Sequence, residues 1–233
     1  MRLALATLLA GLVLAAPAGA AQVDVMVVGK RVLVPAKTVT LKERTVRVGG
    51  RRCTLGRATA LAALAGTGAS FSLRDYGACS RRPRDAGSLY VRRIGPDAER
   101  GRDGWVYKVG NRSGTAGGAD PGGAFGRGGL RDGQRVLWFW CVKDRRDRCQ
   151  RTLGVKAPAG TPAGAPLRVT VRGYDEQGRG VAVAGARVRV GGSTGTTGPD
   201  GTAILTAPPA GRHTLEATKA GMVSAFPRTV TSR

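Results

Sequence analysis

Ser193, Asp200 and His213 follow one another in the order nucleophile, acid, base, and Gly191-Gly192-Ser193-Thr194-Gly195 fits the letters G-x-S-x-G. Such a set would perform acyl transfer, provided the serine sits on a strained turn between a strand and a helix. Here Thr196-Thr197-Gly198-Pro199-Asp200-Gly201 follows the serine, and a turn sequence in a short all-β segment cannot supply that elbow. A cysteine nucleophile would need a histidine in reach, and His213 is the only one, far from Cys53, Cys79, Cys141 and Cys149. With no Cys-x-x-Cys pair, a zinc site is not expected either. The acids Asp97, Glu99 and Asp103, or Asp144 and Asp147, are too sparse and too interleaved with arginine for a calcium loop. The glycines from Gly122 to Gly129 lack the following helix that makes a phosphate loop. No enzyme and no cofactor are expected.

Binding chemistry is better represented. Between Gly104 and Cys141 lie all three tryptophans, with Tyr107, Phe125 and Phe139, on two apolar runs that flank a long Gly/Asp loop carrying Asp120. Aromatic side chains offer large rigid contact area at low entropy cost, so Trp105, Tyr107, Asp120, Trp138 and Trp140 are the candidate ligand-binding residues. Alternation along Val136 to Trp140 sends Trp138 and Trp140 to one face and Leu137 and Phe139 to the other. With Leu137 and Phe139 inward, the tryptophans form a partly exposed platform beside Trp105 or Tyr107; a buried tryptophan pair is the alternative. Arg81, Arg82, Arg84, Arg92 and Arg93 form a second, polyanion-binding candidate. Placed beside the platform, they would suit an anionic glycan or cell-wall polymer.

Of the 38 basic residues 31 are arginine, against 15 acids. The basic residues are scattered rather than run together, which argues against specific nucleic-acid binding. Met1-Arg2, the apolar block Leu3 to Ala16 and the small-x-small site Ala18-Gly19-Ala20 read as an export signal cleaved after Ala20. Loss of Arg2 then takes the formal charge from +23 to +22. No second apolar run of spanning length follows, so no transmembrane segment is expected in the mature chain. Four cysteines in an exported chain imply two disulfides. Three pairings exist; the short Cys141–Cys149 loop, with Cys53–Cys79 as the second bridge, is favoured.

The elements that must hold these residues are mostly strands. Val23 to Val28, Val32 to Val34, Val39 to Leu41 and Thr45 to Val48 are β-branched runs broken by Gly29-Lys30, Pro35 and charged turns. Arg57 to Ala65 changes period, with Leu61 and Leu64 three apart and Gly66 as a stop, which predicts one short helix. Strands follow at Phe71 to Tyr76, Leu89 to Ile94, Trp105 to Val109 and Arg135 to Trp140. Ala157 to Pro166, APAGTPAGAP, reads as a linker, which divides a first domain (21–156) from a second (167–233). In the second, Leu167 to Gly173, Ala186 to Val190, Thr202 to Leu205, His213 to Ala217 and Ser224 to Val230 read as strands of a small antiparallel β-sandwich, Ig-like or prealbumin-like.

The order of Gly56 to Leu64, Gly104-Trp105-Val106-Tyr107-Lys108-Val109-Gly110, Gly118-Ala119-Asp120 and Asp132-Gly133-Gln134-Arg135-Val136-Leu137-Trp138-Phe139-Trp140 resembles the DUF4430 family, the transcobalamin-like C-terminal domain, over about residues 45 to 142. The resemblance implies a β-grasp-like (α+β) domain in a secreted or surface binding module, with a corrinoid-like small molecule among the ligands to consider. The glycine-rich Arg112 to Arg131 loop and the arginine-rich insert at Ser80 to Arg102 depart from the family. The second domain resembles carboxypeptidase-regulatory-like surface sandwiches through Gly185-Ala186-Arg187-Val188-Arg189-Val190 and the Thr197 to Thr202 turn, which implies a spacer or adhesive unit. The whole is expected to be mainly β with one short helix: a non-catalytic binding module or, alternatively, a structural envelope protein acting through protein contacts or charge.

Overall fold

The computed structural model describes residues 20–77, 79 and 89–233; the expected export signal and Arg81, Arg82 and Arg84 lie outside them. The fold is mainly β. Its first sheet has the order β2 (Val32–Thr40), β1 (Gln22–Val28), β10 (Arg135–Cys141), β8 (Gly104–Val109), β9 (Arg112–Ser113). Strand β1 runs parallel to β10, and the other neighbours are antiparallel. An N-terminal hairpin, a helix, and a late strand returning parallel to the first are what a β-grasp-like domain requires. The two runs expected on either side of Pro35 are one strand. Pro35 is tolerated because β2 is an edge strand and the register against β1 slips there, so no ladder N–H is needed.

Helix α1 (Ala60–Gly66) is the one helix among the described residues. It starts later than the apolar period suggests because Thr59 caps it, accepting from Ala62 N at 3.2 Å. Leu61 and Leu64 are fully buried against the first sheet, each contributing roughly 1.5–3 kcal/mol. Around them lie the hairpin β3 (Arg44–Val48) and β4 (Arg51–Leu55), and the sheet β5 (Phe71–Asp75), β6 (Leu89–Ile94), β7 (Asp97–Ala98). The disulfide Cys53–Cys79 ties β4 to the end of β5, and Cys141–Cys149 closes the end of β10. Both are the favoured pairs.

The second unit stacks two sheets. One contains β11 (Thr152–Lys156), β13 (Pro166–Tyr174) and β14 (Gly180–Ala182), with β17 (Thr202–Thr206) also pairing β13. The other has the order β12 (Gly160–Thr161), β19 (Arg228–Ser232), β18 (Gly211–Thr218), β15 (Arg187–Val190), β16 (Ser193–Thr196). Alternation works as expected: Leu167, Val169 and Val171 meet Val188, Val190 and Leu215 in the core, while Arg168, Arg172, Arg187 and Arg189 face out.

The domain boundary needs correcting. Thr152–Lys156, assigned to the first domain, is paired along its length with β13. Residues 157–166 are not a free linker, because Gly160 and Thr161 pair with Thr231 and Ser232. Composition alone misleads here: small residues suit a tight edge strand as well as a tether. Among the described residues no helix is long and apolar enough to cross a membrane.

Candidate functional site

Register sets the aromatic cluster. On the β8–β10 ladder Tyr107 faces Trp138 and Trp105 faces Trp140. The rings meet at 5.1 Å between Tyr107 and Trp138, and at 5.7 Å edge-on between Trp105 and Trp140. All four side chains are at least nine-tenths buried. Three of them have their polar ends engaged internally. Trp105 Nε1 donates to Asp97 O at 2.8 Å, Tyr107 Oη to Ala116 O at 2.7 Å, and Trp138 Nε1 to Ala60 O at 3.1 Å. Burial, reinforced by the Asp120 charge, pushes the Tyr107 phenol up to about 12.

The partly exposed platform is therefore absent. Trp138 and Trp140 belong to the core beneath α1, as the ordinary alternative had it. Leu137 and Phe139 are also buried, but in a separate cluster with Met26, Val28 and Val223, so both faces of β10 are covered. The expectation failed because it allowed the sheet one buried face, while the second unit closes the other.

What remains open is a cleft of about 470 Å³ beside the cluster. Trp105, Tyr107 and Trp138 border it with Leu61 and Tyr90, and the Gly114–Gly118 turn forms a wall. That turn must approach closely, since a Cβ on Gly114 or Gly118 would run into the Tyr107 or Trp138 ring. Polar groups reach the cleft from Arg112, Thr115 and Lys143, and from Glu176 and Gln177 of the second unit. The Ser113 N to Glu176 O bond, 2.8 Å, fixes the two units' edges together there. Asp120 is outside this lining; its carboxylate accepts from Gly122 N at 2.7 Å and holds a turn.

Behind β8 lies Lys108, only 1% exposed. Its ammonium donates to Thr152 Oγ1 at 2.9 Å, Tyr174 O at 3.0 Å and Asp175 O at 2.8 Å, all from the second unit. Burial lowers its pKa to about 8, against the pull of Asp175 and Glu176. Sequence reasoning missed this residue. The available signal was a lysine alternating with aromatics on a strand whose neighbours are all core.

A wider cleft of about 900 Å³ opens at the junction of the units, near Trp140. Its acids are engaged. Asp144 pairs with Arg148 at 2.8 Å, and the Arg148 backbone and side chain hold its carboxyl at about 2, below the usual carboxylate range. Asp103 Oδ1 accepts from Lys143 N at 2.9 Å, and Asp97 Oδ2 from Lys30 N at 3.0 Å.

Of the expected arginine cluster, Arg92 and Arg93 are described and exposed on β6. Arg92 is neutralised by Glu99 at 2.6 Å, which also pairs with Arg74. Ser193, Asp200 and His213 are occupied separately. Ser193 Oγ donates to Thr206 O at 2.7 Å from β16, His213 Nε2 lies 2.7 Å from Pro209 O, and Asp200 Oδ1 accepts from Thr202 N at 2.9 Å. No family model, no curated protein and no solved structure matches the chain.

Proposed function

We propose that this protein is a secreted or cell-surface binding module, not an enzyme, which holds a compact ligand in the cleft beside Trp105, Tyr107 and Trp138. The observation that carries the reading is the cleft itself. Its volume of about 470 Å³ falls within the range of small-molecule sites, roughly 300–1,000 Å³, and aromatic faces meet a few polar groups in it. Because the indole and phenol polar ends are already bonded within the fold, recognition falls to ring faces and to Arg112, Thr115, Glu176 and Gln177. That favours a ring-bearing compact molecule, or one residue of a cell-wall polymer or anionic glycan, over a corrinoid-like macrocycle. Export is supported by the N-terminal sequence and by two disulfides, which form and persist outside the reducing cytosol.

The test is equilibrium dialysis of the purified protein against low-molecular-weight envelope extract, followed by native mass spectrometry. Ala116→Trp plugs the cleft from a half-buried position whose backbone carbonyl still accepts from Tyr107. Retention of a defined molecule by the parent alone is expected; equal retention by both, or none by either, would refute the cleft.

A second reading, charge-driven polyanion binding, draws on one observation. Arg47 and Arg52 stand directly opposite each other on the exposed face of the β3–β4 hairpin. Like charges so placed repel, and a bound polyanion would relieve them. Sedimentation with cell envelopes across a salt series separates the readings, since only diffuse attraction vanishes with screening.

A further inference from the structure

The glycine-rich loop that follows β9 builds a third cavity, of about 410 Å³, on the far side of Thr115. The loop is folded tightly on itself. Gly128 N donates to Gly122 O at 2.9 Å, Thr115 N to Ala124 O at 2.8 Å and Leu130 N to Ala58 O at 2.7 Å. Gly123, at φ +80°, faces the Gly128 carbonyl so closely that a Cβ there would overlap it. Only glycine fits.

The charged side chains of the cavity's lining are all cations among the described residues. Arg112, Arg127 and Arg131 line it, and no acid among the described residues does. None of the three takes part in an ion pair among the described residues, whereas Arg74, Arg92, Arg148, Arg179 and Arg189 each pair with an acid. Gln134 spends Oε1 on Arg131 N, at 2.9 Å, so what it can still offer is its amide N–H groups. The acids nearest in sequence are committed elsewhere: Asp132 Oδ1 accepts from Gln22 N at 2.7 Å, and Asp120 Oδ1 from Gly122 N. Phe125 adds an aromatic wall under the Arg112 guanidinium, 5.1 Å from its centroid.

We propose that this cavity binds a phosphate or sulfate group. Three guanidinium cations without an ion-pair partner among the described residues favour a tetrahedral oxyanion over a single carboxylate, because one planar N–H fork takes up both oxygens of a carboxylate, while a tetrahedral group has oxygens left for the other two. The cavity exceeds what a bare anion fills, and Phe125 with Val109 and Leu130 gives an attached ring apolar contact. The site does not depend on the aromatic cleft, although Arg112 and Thr115 border both.

Calorimetric titration of the full, disulfide-intact chain at fixed ionic strength tests this. The probes are inorganic phosphate, inorganic sulfate, glucose 6-phosphate, acetate and glucose. Saturable binding of phosphate or sulfate is expected, with acetate and glucose much weaker. Tighter binding of glucose 6-phosphate than of phosphate would assign an ester-borne group; equal binding would assign the free anion. In Arg127→Ala/Arg131→Ala the dissociation constant should rise at least about tenfold, since each lost charge-assisted bond costs about that factor. Arg187→Ala/Arg212→Ala removes the same charge from the exposed face of the second unit and should leave it unchanged. Unfolding midpoints without ligand confirm that both variants fold, as all four side chains are exposed. Absence of saturable binding, acetate binding as tightly as phosphate, equal weakening in Arg187→Ala/Arg212→Ala, or parent-like binding in Arg127→Ala/Arg131→Ala would overturn the proposal.

Discussion

Lys108 makes stability rise with pH over a window where most proteins are already past their optimum. In the unfolded chain its ammonium has the ordinary value of 10.5, and in the folded chain about 8. Between those values the unfolded chain holds more protons, so raising the pH favours folding. The gap is worth about 3 kcal/mol when fully expressed, of which roughly 2 kcal/mol is realised between pH 7 and pH 9.5. Tyr107 acts in the opposite sense. Its phenol is raised from 10.0 to about 12, so stability falls as pH climbs above about 10. The two effects together place the maximum near pH 10. Urea unfolding followed by tryptophan fluorescence, at steps from pH 7 to pH 9.5, measures the slope, and the absence of free cysteines among the described residues keeps disulfide exchange out of it. Lys108→Met keeps length and apolar stem but removes the titrating group, so its profile should be flat. A flat parent profile, or a methionine variant with the parent's slope, would refute the assignment.

Trp138→Ala should cost about 3–5 kcal/mol in the same urea assay, as a core deletion does, while Val142→Ala at an exposed site should stay within about 0.5 kcal/mol. Replacing Cys53 and Cys79 by serine should destabilise about 1 kcal/mol more than replacing Cys141 and Cys149, because the separation bridged is 26 residues against 8 and loop entropy grows with its logarithm. Gly201→Ala should lower the melting midpoint of the second unit by an amount equivalent to about 1–3 kcal/mol. The residue sits at φ +75°, and a Cβ there would meet Val171 O at 2.6 Å. A calorimetric scan in which Gly201→Ala melts with the parent would contradict that packing.

The strand content was legible because β-branched and aromatic residues alternate where one face is buried, and Leu167 to Gly173 is the clearest case. The helix was legible from Leu61 and Leu64, and the disulfides from loop length. Strand β16 was not, since Ser193 to Thr196 carries no apolar signal and is held by pairing with β15. Nor was the cleft, whose polar groups come from Arg112 and Glu176, far apart in sequence and joined only by tertiary pairing. The aromatic residues were found, but their orientation was not. Periodicity reports two faces and says nothing about a second unit able to cover one of them.

That cover has a consequence for how such a chain can change. From Val136 to Cys141 every side chain of β10 is buried, alternately in the first unit's core and at the seam with the second. The two units are therefore not interchangeable cassettes. A first unit cut free at the seam would present Met26, Val28, Leu137 and Phe139 to water as one apolar patch beside an uncompensated Lys108. Recombination between relatives would have to move both halves of the seam together, and shuffling either alone would yield an aggregating fragment rather than a new binder.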